Sequence, residues 1–228
     1  MRALFFAASF VLVFGGGAVA SVTFTEQDRS VSATSFSGTS SDAAPNFLPW
    51  TGDVQSIHRF SGTSASAFQM SELTESSVTV DSSINAKDGQ GPNGSSSESL
   101  FRTTFSVDQA GSYALAGSWS IDWDGLRSPS AVVKLTQAGN AVPLFWSFAS
   151  VGADPFLSDS FSVSGELTPG TYELIATITE DTLDPDNVLP QVNGELHVAL
   201  ALQTPAPGGA IPGLIGCSLV LARRRRNR

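Results

Sequence analysis

Between Phe101 and Leu202 apolar residues recur at every second position over long stretches, and no stretch sustains a period of 3.6. The clearest run places Tyr113, Leu115, Gly117, Trp119, Ile121 and Trp123 on one face. Ala114, Ala116, Ser118, Ser120, Asp122 and Asp124 fall on the other. Such alternation predicts a half-buried antiparallel strand, because successive side chains point to opposite sides of a pleated backbone. Val142, Leu144, Trp146 and Phe148 repeat the pattern, as do Tyr172, Leu174, Ala176 and Ile178, and then Leu196, Val198, Leu200 and Leu202. All these stripes are expected to face inward. Turn formers at Gly111, Gly125, Pro129, Gly139, Pro155, Pro169, Gly170, Pro185 and Gly194 separate the runs.

One internal echo refines the fold class. Phe105-Ser106-Val107 followed by Gly111-Ser112-Tyr113-Ala114-Leu115 is matched by Phe161-Ser162-Val163 followed by Gly170-Thr171-Tyr172-Glu173-Leu174. Each copy reads as a hairpin, with a tyrosine after the glycine turn whose hydroxyl is expected to bond nearby backbone. The expected architecture is all-β, an antiparallel β-sandwich of jelly-roll or Greek-key type. In the first third, Val22 to Phe36 and Val78 to Ile84 read as strands. Ser37 to Pro49 and Ala86 to Ser97, rich in Ser, Gly, Asn and Pro, read as loops. The segment from Trp50 to Ser77 is expected to supply one or two edge strands.

The two ends differ from this body. Arg2, the apolar run from Ala3 to Val13 and the small residues Ala18-Val19-Ala20 have the order of a secretory signal helix, cleaved between Ala20 and Ser21. Gly15, Gly16 and Gly17 would break a longer helix there. At the other end come Pro205, Ala206 and Pro207, an apolar stretch from Gly208 to Ala222, and then Arg223, Arg224, Arg225, Arg226, Asn227 and Arg228. As a helix the stretch would extend about 22 Å, against a hydrocarbon core of about 30 Å, so it predicts a short, weak transmembrane helix. The arginines would hold its end on the cytoplasmic side. The domain limits are therefore 1–20 for the signal, 21–203 for the sandwich and 204–228 for the tail.

The order Pro-x-Pro, small apolar span, arginine cluster resembles the PEP-CTERM sorting signal of Gram-negative bacteria. The resemblance covers about the last twenty-four residues, with Ala206 where the family usually has Glu. It implies recognition by an exosortase-type processing enzyme, transient membrane association, and delivery to the cell surface or the exopolysaccharide matrix. Gly208 and Gly209 also allow a GlyGly-CTERM reading, which implies a rhomboid-type protease instead; an ordinary tail anchor is the third alternative.

Charge and cysteine content then exclude several classes. Without the two ends, six basic residues stand against 21 acidic ones, a net charge of −15 where the full chain has −9. A chain so acidic repels nucleic acid and anionic lipid, so no nucleic-acid partner is expected. Cys217, the one cysteine, lies in the tail, which leaves the body without a disulfide or a thiol nucleophile.

Candidate chemistry in the body is sparse. Of the two histidines, His197 falls opposite the Leu196–Leu202 stripe and is expected at the surface, and no Gly-x-Ser-x-Gly elbow accompanies it or His58. Asp122 and Asp124, flanking Trp123, have the spacing for a carboxylate pair on one face, or simply for opening the turn at Gly125. Glu180, Asp181, Asp184, Asp186 and Asn187 concentrate oxygen ligands suited to Ca²⁺, with Asp81, Asn85 and Asp88 as a weaker second group. Aromatic platforms grip sugars, but Trp119, Trp123 and Trp146 lie on stripes expected to be buried and only Trp50 sits in a loop; in a sugar binder Trp50 or Trp123 would be the contact. No catalytic residues, and no cofactor other than possible calcium, are expected. The functional expectation is a non-catalytic structural or adhesive sandwich at the cell surface or in extracellular polysaccharide. A carbohydrate-binding module and a secreted hydrolase are the alternatives.

Overall fold

The computed structural model describes residues 22–87, 89, 94–123, 129–149, 156–181 and 191–203. The signal segment, the tail, Asp124, Asp184 and Asp186 lie outside the described residues. Within them the chain is all-β, forming two six-stranded antiparallel sheets in an arrangement consistent with a β-sandwich.

The strands are β1 (Val22–Ser35), β2 (Gly38–Ala43), β3 (Trp50–His58), β4 (Thr63–Thr74), β5 (Ser77–Lys87), β6 (Ser96–Val107), β7 (Gly111–Trp123), β8 (Ser130–Gln137), β9 (Phe145–Ala149), β10 (Phe156–Leu167), β11 (Gly170–Asp181) and β12 (Gln191–Gln203). One sheet runs β2-β1-β6-β11-β8-β9 and the other β10-β7-β12-β5-β4-β3. From β5 onward the chain forms one long antiparallel ribbon with the β8–β9 hairpin at its tip. Behind that tip β7 pairs with β10, β6 with β11 and β5 with β12, successive pairs lying in alternate sheets.

This ribbon corrects the reading of the internal echo. Neither copy is a hairpin, since β6 and β11 belong to one sheet and β7 and β10 to the other. Both copies are arches crossing between sheets, and they cross side by side, with Val107 opposite Gly170 and Gly111 opposite Leu167. The tyrosine expectation holds in the second copy, where the Tyr172 hydroxyl donates to the Thr168 carbonyl at 2.6 Å. One loop expectation changes, and the expectation of one or two edge strands after it is refined. Ser37 to Pro49 contains β2, a short exposed edge strand, and Trp50 to Ser77 supplies both the edge strand β3 and its inner neighbour β4.

The stripes of β7, β11 and β12 face inward as expected, with Leu115, Ile121, Leu174, Ile178, Leu196 and Leu200 buried. The interior between β1, β3, β4, β5 and β6 is more polar. There Ser35 bonds Ser56 at 2.8 Å, Ser99 donates to Ser82 at 2.9 Å, and the Arg29 guanidinium donates to the Ser71 hydroxyl at 3.1 Å. Each of these bonds ties one sheet to the other, at about 1 kcal/mol net for a neutral pair and somewhat more for the charged donor.

The stripe at Val142, Leu144, Trp146 and Phe148 is the main reversal. These side chains face solvent, with Trp146 63% and Phe148 51% exposed. The inward positions of β9 belong to Ser147 and Ala149. Across the sandwich lies the bulky Trp119 of β7, whose indole N–H donates to the Ser147 hydroxyl at 3.0 Å. The small side chain at 147 leaves room for that ring, while Phe145, also on the inward side, packs on Phe161 of β10 with ring centroids 4.7 Å apart; the period-2 pattern is real and its inside and outside are exchanged.

Candidate functional site

The residues named as site candidates from the sequence disperse rather than converge. Trp123 is 3% exposed, its ring part of the core, which removes its face from reach of a sugar. Trp50 is partly buried against the core at the start of edge strand β3, and the Arg29 guanidinium carbon lies 6.0 Å from its ring centroid. Asp122 is exposed near the end of β7. Asp181 ends β11, and its proposed calcium partners Asp184 and Asp186 fall outside the described residues. Of the weaker second group, Asp81 and Asn85 each engage a residue of β12, Asp81 bonding His197 and Asn85 bonding Asn193, and Asp88 lies outside the described residues. Among the described residues no three His, Cys, Asp or Glu side chains group in a way that could hold a metal ion.

Arg29 illustrates how little of the polar interior is aimed outward. Buried in β1, it donates to Gln27, to the carbonyls of Asn46 and Leu48, and to Ser71. It thereby fastens the segment after β2 onto the sandwich. Burial lowers its pKa from the usual guanidinium value, yet it stays cationic, since arginine does not deprotonate in proteins. Its acceptors are neutral, which marks it as a structural clamp.

On the outer face of the second sheet, strand register aligns Ser118, His197 and Asp81 in one row across β7, β12 and β5. His197 Nδ1 lies 2.7 Å from Asp81 Oδ1. That hydrogen bond raises the His197 pKa, partly opposed by desolvation and assisted by the charges of Asp81 and Glu195. The row has the residue types of a nucleophile, a base and an orienting acid. What the row shows beyond them is an open pleated surface: Ser118 has no hydrogen bond to His197, and both flanking strands spend their N–H groups on the sheet ladder. His58 is engaged within its own turn, with Nδ1 2.8 Å from the Ser61 hydroxyl, and Phe36 packs edge-on against its ring.

Two surfaces remain. One is the outer face of β10, β7 and β12, where Ser158, Ser160, Ser162, Ser118, Ala116 and Ala199 stand as short side chains on a flat sheet. The other is the outer face of β8 and β9. There Trp146 and Phe148 stand side by side, ring centroids 6.2 Å apart, with Lys134 directly opposite Trp146 and Val132 opposite Phe148. Ile175 of β11 lies beyond Lys134 in the same row. Assigning this stripe to the core hid the pair, because alternation shows that two faces differ and not which one turns inward.

Among the described residues one small depression is formed. A depression of about 80 Å³ at the β1 bulge, lined by Glu26, Gln27, Asp28, Arg102, Thr103 and Thr104, is small against the roughly 300 Å³ at which ligand pockets begin. Arg102 at its rim is held by Glu173, with Nε 2.6 Å from Oε1.

The described residues form an all-β, two-sheet protein with exposed aromatic groups in two places, Trp146 with Phe148 on β9 and Phe36 with Phe60 around His58. No protein-family model matches the chain, and no curated protein matches it.

Proposed function

We propose that this chain is an exported protein of the cell surface or exopolysaccharide matrix, sorted by an exosortase-like system through its tail, whose β-sandwich acts structurally or adhesively and without catalysis. The observation that carries the reading is the flat, hydroxyl-rich outer face of β10, β7 and β12, a surface suited to lateral contact with an extended polymer or with neighbouring matrix components rather than to enclosing a small substrate. The terminal segments read in the sequence supply the route out of the cell, and the acidic balance suits a soluble extracellular life. The alternate-sheet ribbon supports the jelly-roll form of the sandwich. The test is fractionation of producing cells into cytoplasm, membrane, surface matrix and medium, with intact-mass analysis of each pool. A matrix pool whose mass begins at Ser21 and ends near Pro207 or Gly209 is expected. A cytoplasmic pool retaining Met1 and Arg228 overturns the reading.

A second reading, a carbohydrate-binding module, is favoured by one observation, the exposed Trp146–Phe148 pair. A secreted hydrolase has less support, because the Ser118–His197–Asp81 row lies on an open sheet.

A further inference from the structure

The β8–β9 end of the first sheet differs in charge from the rest of the molecule. The chain carries 21 acidic residues, yet from Ser130 to Ala149 there is none, and Lys134 is the one charged side chain. Lys134 is in no ion pair among the described residues, whereas Arg102 two strands away is bound to Glu173. Beside it the indole of Trp146 and the ring of Phe148 are exposed on a flat sheet, fixed outward because Ser147 and Ala149 occupy the inward positions. Thr136 and Thr177 flank these apolar groups with hydroxyls on the same outer face.

We propose that Trp146, Phe148 and Lys134 form a binding surface for a neutral polysaccharide. The two rings stack on the apolar faces of successive sugar rings, and the Lys134 ammonium and the threonine hydroxyls bond sugar hydroxyls. Rings in the open, interleaved with donors, match a pyranose, which presents C–H on its faces and O–H around its edge. The net charge of −15 left without the two ends sets the class further. It disfavours polyuronates, nucleic acid, anionic lipid and a second copy of this acidic chain, while leaving neutral glycans unaffected. A flat surface without a groove suits an extended polymer more than a small sugar. The proposal rests on the extracellular reading only in that a glycan must be within reach.

The test is native gel electrophoresis of the protein recovered from the medium, in gels containing hydroxyethyl cellulose, galactomannan, or the neutral polysaccharide fraction of the producing cells' own matrix, with alginate as the acidic control. Retardation is expected in at least one neutral gel. W146A/F148A should weaken binding about tenfold or more and K134Q by a few-fold, in line with the modest worth of one stacking ring or one hydrogen bond. Trp146 and Phe148 are exposed and Lys134 partly so, and an unchanged thermal midpoint will show that the variants fold. No retardation in any neutral gel, retardation only by alginate, or full retardation of W146A/F148A overturns the proposal. So does a concentration-dependent mass in light scattering that W146A/F148A abolishes in the absence of glycan retardation, which assigns the patch to self-association. If the gels overturn the site while the protein is still recovered from the matrix without its two ends, the extracellular reading stands and this site alone fails.

Discussion

Ser147 decides which way an edge strand faces. Its hydroxyl accepts the Trp119 indole N–H in the interior, and a buried tryptophan donor without an acceptor is costly. Ser147→Ala is therefore expected to lower stability by about 1–3 kcal/mol, read as a drop in the denaturant midpoint at constant slope. An unchanged midpoint would mean that the indole bond does not hold β9 in place. The same residue explains why the sequence misleads here. Alternation reports that two faces differ, but which face turns inward depends on what stands across the sandwich, and Trp119 is 28 positions away in the chain. Trp123 follows the expectation of its stripe: the ring packs into the core and Asp122 turns outward, so its candidacy as a sugar contact falls.

At the level of strands, β5 and β12 are joined across their outer face by His197 and Asp81, directly opposite in register. The hydrogen bond to Asp81 raises the His197 pKa above 6.5. A raised folded value means that the native state binds this proton more tightly than the unfolded chain does. The pair's contribution to stability is thus fully present below about pH 6.5 and is lost as pH rises through the higher folded value. NMR titration of the imidazole is expected to give a midpoint above 6.5, falling in Asp81→Asn; equal midpoints in both proteins would remove Asp81 as the cause. Strand existence was largely legible, since β7, β11 and β12 follow their stripes and β1 matches its expected limits almost residue for residue. Strand partnership was not. The echo around Tyr113 and Tyr172 encodes a turn chemistry that serves a hairpin and a sheet-crossing arch equally well, and the choice is made by pairing with segments far along the chain. The edge strand β2 escaped notice because Gly38–Ala43 has no apolar stripe at all; it is fixed by its ladder to β1 and by Ser56 of β3, whose hydroxyl donates to the Gly38 carbonyl at 2.7 Å.

Taken whole, the molecule has an interior of two kinds, apolar under β7, β8, β11 and β12 and threaded with hydroxyls under β1, β3, β4 and β5. Its final strand is central to both sheet order and core: β12 lies between β7 and β5 and buries Leu196, Leu200 and Leu202. A chain ending at Asp181 would leave those two strands without their shared neighbour and is expected to remain unfolded, as read by loss of near-ultraviolet dichroism and by rapid proteolysis. A cooperative thermal transition in that truncation would show that β12 is dispensable. The candidate site was the least legible part. Composition pointed to sugar-binding tryptophans, but the exposed pair came from the stripe assigned to the interior.

The ribbon also imposes an order of events. Ladder partners such as Lys87 and Gln191 are separated by most of the domain, and β12 ends at Gln203, immediately before the tail. A polypeptide made or threaded from its N-terminus cannot close this structure until almost its last residues are free, because the innermost seam of the second sheet waits for them. Maturation and completion of the chain are in that sense simultaneous: any event that arrests or cuts the protein ahead of Gln203 yields an open half-structure with bare strand edges, and only an event after it releases a finished one.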